Sequence, residues 1–111
     1  MDDLLTARIL IERSRVLHGL FFCHLVIEKA IKAHVVKETE TIAPKSHNLI
    51  YLSQKADLSL SEEDDIFIGI LMKYQLHGRY PDYNPYIPSI EIVNSYLEHT
   101  ENLLKWLREK L

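Results

Sequence analysis

An all-α fold, an antiparallel up-and-down bundle of about five helices, is the expectation for this 111-residue chain. Three observations lead there. Apolar residues recur at three- and four-residue spacing in four separate runs, which is the period of a helix and not of a strand. Only three glycines occur, and three of the four prolines crowd into one loop, Pro81, Pro85 and Pro88. No hairpin signal, internal repeat or low-complexity tract interrupts the pattern.

The first helix is expected from Asp2 or Asp3 to Ser14. Its acidic start suits the positive end of the helix dipole, and Leu4, Leu5, Ile9, Leu10 and Ile11 supply the apolar face. A break over Arg15–Gly19 leads to the second helix, which ends around Val36 or Lys37. Leu20, Phe21, Cys23, Ile27, Ala30, Ile31 and Val35 form its stripe, widened by Phe22, Leu25 and Val26. A helix apolar on most sides belongs at the centre of a bundle. Glu38–Lys45, with Pro44, reads as a loop.

A short third helix opens at Ser46 or His47, with Ser46 as its N-cap. Ser61-Glu62-Glu63-Asp64 opens the fourth, combining a serine cap with an acidic first turn. From His77 to Pro88 the prolines oppose regular helix. The fifth helix runs from about Ser89 to Lys110, with Ile92, Val93, Tyr96, Leu97, Leu103, Leu104, Trp106 and Leu107 as its stripe.

Length and composition bound the function. One domain with a single core is expected at this size. The net charge of −3 lacks the basic excess usual in a free-standing nucleic-acid binder. The single cysteine, Cys23, excludes an internal disulfide and a cysteine-rich zinc site, and its apolar surroundings make it a core residue. No run approaches the roughly 20 apolar residues of a membrane span. The N-terminus lacks the basic start of a signal peptide, so a cytoplasmic location is expected.

Three places carry candidate chemistry. Glu28 and Lys32 lie four apart in the favourable acid-then-base order, with Lys29 beside them and His24 one turn earlier. One reading is a solvated or internally satisfied stripe; the other is a polar groove in which Lys29 or Lys32 meets a phosphate. His24 and Glu28 alone are too few for a metal site, and no cofactor is implied. His47, at a helix start, either holds an anion with the backbone N–H groups or packs against its own helix. Arg79, Tyr80 and Asp82 lie in a loop with Tyr83 and Tyr86. There the arginine fits a phosphate or carboxylate and the tyrosines fit a base or a second chain. Equally, Arg79 pairs with Asp82 or Glu28 and the tyrosines cover the bundle end. Nothing resembles a phosphate-cradling glycine loop.

Glu28-Lys29-Ala30-Ile31-Lys32-Ala33, Ser46-His47-Asn48-Leu49 and Arg79-Tyr80-Pro81-Asp82, in that order and helical setting, resemble the HEPN (higher eukaryotes and prokaryotes nucleotide-binding) domain. The likeness spans essentially the whole chain and is closest to the small stand-alone prokaryotic type. It implies a homodimeric bundle, a nucleotide such as ATP or GTP as ligand, and a minimal nucleotidyltransferase as partner in a toxin–antitoxin-like pair. Arg79, His47, Lys29, Lys32, Tyr80, Asp82 and Glu28 are then the ligand-binding candidates. Many members of the family are instead metal-independent ribonucleases with an Arg-x(4–6)-His motif. Here Arg79 is followed by no histidine at that spacing. Arg13 and His18 do fit it, but at the end of helix one, where the family does not carry its site. A non-catalytic module is therefore expected, with an RNA-cutting toxin and a ligand-free scaffold as the alternatives.

Overall fold

The computed structural model describes residues 2–79 and 87–111. They form five helices: α1 (Asp3–Glu12), α2 (Val16–Thr39), α3 (Leu49–Lys55), α4 (Glu62–Arg79) and α5 (Ile90–Lys110). No strand occurs among the described residues, and the fold is a helical bundle as expected. The four long helices alternate in direction. Asp3 of α1 pairs with Lys29 of α2, so those two run antiparallel. His34 and Lys37 of α2 meet Leu107 and Lys110 of α5 in the same order, so α2 and α5 run parallel. Asp64 meets His99 and Phe67 meets Tyr96, so α4 opposes α5.

The central helix is α2, which packs against α1, α3, α4 and α5. Leu20, Cys23, Ile27, Ile31 and Val35 are fully buried along it. Burial pushes the Cys23 thiol up to about 11, with Glu101 adding to the shift and a hydrogen bond with Thr100 opposing it. The cysteine is thus a protonated core residue.

Several helix ends differ from expectation. The break between α1 and α2 is only Arg13–Arg15, and α2 begins at Val16. Ser14 takes a left-handed φ of 62°, and the Arg15 N–H then reaches back to the Leu10 carbonyl at 2.7 Å. This pattern closes helices at glycine in most proteins, so a serine there gives no warning. Helix α2 also runs through Glu38 to Thr39 before Glu40 turns left-handed. Helix α3 starts later than Ser46: Asn48 is the N-cap, its side chain accepting from the Tyr51 N–H at 3.0 Å. Ser46 Oγ accepts from the Asn48 N–H instead, shaping the turn before the helix. Helix α4 continues through His77 to Arg79, because Pro81 restricts only the residue before it. Ser61 and Ser89 cap α4 and α5 where the sequence puts those starts.

Gly19 lies inside α2 because α1 crosses there. A Cβ at this position would sit 2.6 Å from Ile11 Cγ1 and 3.1 Å from the Ala7 carbonyl oxygen. Gly69 of α4, by contrast, faces open space. Gly19→Ala is expected to destabilise the protein by about 1–2 kcal/mol, overpacking outweighing the gain in helix propensity. Gly69→Ala is expected to stabilise it by about 0.5–1 kcal/mol. Urea unfolding of the two variants checks both signs.

Candidate functional site

The middle of α2 places a carboxylate where a helix core would ordinarily be apolar. Glu28 is only 4% exposed. A buried carboxylate is costly unless paired, and two side chains donate to it, with a third close by. Lys32, one turn on, donates from Nζ to Oε2 at 3.1 Å. His47, from the segment leading into α3, donates from Nδ1 to Oε1 at 3.0 Å. His24, one turn back, has Nδ1 3.7 Å from Oε1.

The imidazoles are oriented by what they must donate to. A carboxylate only accepts, so His47 carries a proton on Nδ1. The other nitrogen of His24, Nε2, lies 3.1 Å from the backbone carbonyl oxygen of His47, so it too must carry a proton. His47 is therefore fixed to α2 twice, by its side chain to Glu28 and by its carbonyl to His24. Burial pushes the Glu28 carboxyl up. Hydrogen bonds from His47 and Lys32, with their charges, outweigh it and hold the group below its ordinary value of 4.5.

The cluster reaches the surface through its basic members. The Lys32 side chain is 25% exposed and the His47 side chain 38%. Glu28 itself faces inward, so an approaching ligand meets the ammonium and imidazole first. Such an arrangement binds an anion or moves a proton at an imidazole nitrogen. Among the described residues no group of three or more His, Cys, Asp or Glu is placed to hold a metal.

The structure thus brings Glu28, Lys32 and His47 together. It separates Lys29, which turns toward α1 and pairs with Asp3 at 2.6 Å. Arg79 closes α4; its side chain, with Tyr80 and Asp82, lies outside the described residues. Arg13 caps α1 and His18 occupies the first turn of α2, both exposed on either side of the turn.

A second cluster was not expected from the sequence. His99 of α5 stacks on Phe67 of α4, with ring centroids 3.9 Å apart and planes 10° from parallel. Its Nε2 lies 2.7 Å from Asp64 Oδ1. The spacing of Tyr96, His99, Leu103 and Trp106 puts His99 on the apolar stripe of α5, and that was the available signal.

The HEPN domain family matches residues 1–110, and the chain belongs to that family. No curated protein and no solved structure matches it. No helix among the described residues is long and apolar enough to cross a membrane.

Glu28→Gln is expected to cost about 2 kcal/mol at pH 7, because a buried ionic partner is lost while Gln keeps some hydrogen bonding. The folded-state carboxyl titrates below its ordinary value, so its stabilising contribution is full above about pH 4.5 and is lost as pH falls through the depressed value. The stability gap between wild type and variant should therefore be constant above pH 5 and close toward pH 3. Urea titrations across that range measure the gap, in which protonation of groups remote from Glu28 cancels.

Proposed function

We propose that this HEPN domain is a non-catalytic module. It homodimerises, binds a nucleotide through its phosphates, and serves a minimal nucleotidyltransferase in a toxin–antitoxin-like pair. One observation carries the reading: Lys32 and His47 are held at the surface by a single buried carboxylate. Of the three Lys32 ammonium N–H groups, one is committed to Glu28, and a quarter-exposed side chain can turn others to an oxyanion. Holding both cations in place beforehand removes part of the ordering cost of binding. The charge sum favours anions as well. With His47 protonated the trio carries one net positive charge, on a chain whose net charge is −3.

Arg79 then supplies a bidentate phosphate contact, Tyr80 a face for the base, and Asp82 a further polar contact. Family membership supports the nucleotide, the homodimer and the nucleotidyltransferase partner as the expected company of such a fold. The absence of a histidine after Arg79 at the ribonuclease spacing supports the non-catalytic reading.

Titration calorimetry with ATP and GTP tests it. Binding in the millimolar range or tighter is expected. Lys32→Ala and Arg79→Ala should each lower affinity by about tenfold or more, the loss of one charge-assisted contact. No binding at millimolar nucleotide contradicts the reading. Metal-independent RNA cleavage that disappears in His18→Ala would replace it with the ribonuclease.

A further inference from the structure

The segment that carries His47 is held little by its own backbone. Residues 41–47 lead from α2 to the turn before α3, and among the described residues none of them takes part in a backbone–backbone hydrogen bond. Side-chain contacts shape the two ends: the Thr41 N–H donates to Thr39 Oγ1, and the Asn48 N–H to Ser46 Oγ. Both are local, and neither sets the segment against the face of α2. Lys45 and Asn48, on either side of the His47 region, are exposed. The apolar anchors of α3 begin only at Leu49, which with Leu52 is fully buried.

His24 reaches this segment from α2. It is 1% exposed, and its Nε2–H donates to the His47 carbonyl oxygen at 3.1 Å, across 23 residues of chain. Leu20, Ile27 and Ile31 on the same helix are buried apolar residues, and an imidazole buried among them is costly unless its polar atoms are used. Docking of α3 does not require it, since Leu49 and Leu52 already join the core. The bond acts earlier, on the main chain of the residue whose side chain reaches Glu28. With the His47 carbonyl held by His24 and its Nδ1 held by Glu28 at 3.0 Å, backbone and ring are fixed together.

We infer that His24 is a positioning residue for the anion site: buried beneath it and out of a ligand's reach, it fixes the His47 main chain and so presents the imidazole beside Lys32. The inference rests on the anion-binding reading above and adds to it a residue that touches no ligand. Without the His24 bond, His47 meets Glu28 only part of the time. The apparent dissociation constant for an anion rises in inverse proportion to that fraction, so a competent population of about one-tenth weakens binding about tenfold.

Titration calorimetry with ATP, and nitrogen-15 NMR of the histidine rings without ligand, test this on the full chain. His24→Phe keeps a ring of similar size and removes the donor; His24→Gln keeps an amide N–H at about the reach of Nε2. In His24→Phe the His47 Nδ1 proton signal of the wild type should be lost to exchange, and the ATP dissociation constant should rise about tenfold. In His24→Gln the signal should return, with the constant within about threefold of wild type. A residue that only filled the core would lower the melting temperature of His24→Phe and leave the His47 signal and the affinity unchanged. That result overturns the inference, as does a loss that His24→Gln fails to restore. If His24→Phe does not fold, His24→Asn, polar but too short for the carbonyl, carries the same expectations. A wild type that binds no ATP overturns the nucleotide reading alone. The His47 signal then decides the positioning role, and its persistence in His24→Phe overturns it.

Discussion

The structure depends on one constraint: its central helix is surrounded on nearly every side yet carries polar groups. Helix α2 packs against all four other helices, and His24, Glu28 and His34 are buried on it. Leaving such a group unpaired costs about 1–3 kcal/mol, and more for a charge. Two neighbours therefore answer these groups at defined points. The segment before α3 answers Glu28 and His24 through His47. Helix α5 answers His34 with the Leu107 carbonyl at 2.7 Å, while Lys37 reaches the carbonyl of Leu111. Among the described residues no buried side-chain polar atom lacks a partner. Apolar packing alone tolerates small slips along a helix axis; these contacts do not, and they fix how far α5 and the segment before α3 slide along α2.

The same constraint explains why the site is assembled as it is. Glu28 has to be buried for α2 to be central, and has to be paired because it is buried. Its partners lie toward the surface, where a cation is least costly. A rigid cationic spot on an acidic chain is the outcome. The groove between α4 and α5 is built differently. There Ile66, Tyr96 and Trp106 line an open groove over the Phe67–His99 stack. The two surfaces share no residue.

Much of the fold was legible because helical periodicity is a property of consecutive residues. The apolar stripe of α2 placed it at the centre, and Ser61 and Ser89 marked the starts of α4 and α5 where the structure has them. Helix ends that depend on tertiary fit were not legible. Gly19 looks like a helix breaker, yet it is helical because Ile11 of α1 occupies the space where a side chain would stand. Ser14 and Glu40 take left-handed φ values of 62° and 56° with nothing in their residue type to announce it. Ser46 and Asn48 are both good caps two residues apart, and only the path of the chain decides between them. For the site, the Glu28–Lys32 pair could be read from its spacing. The Glu28–His47 contact could not, since it joins residues 19 apart through a loop. Lys29 shows the reverse: adjacent to Glu28 in sequence, it faces another helix. His99 was overlooked because a histidine in an apolar stripe resembles a tolerated polar residue until its partner Phe67 is seen.

The claim at the centre is that a buried carboxylate holds Lys32 and His47 ready for an anion. Nitrogen-15 NMR of the histidine rings, recorded with and without ATP, tests it most directly. Without ligand, His47 should show a protonated Nδ1 and His24 a protonated Nε2. Added ATP should shift the His47 ring and the Lys32 ammonium, while His34, buried against Leu107, stays in place. A His47 ring lacking the Nδ1 proton, or signals at His47 and Lys32 that do not move with ATP, would contradict the account.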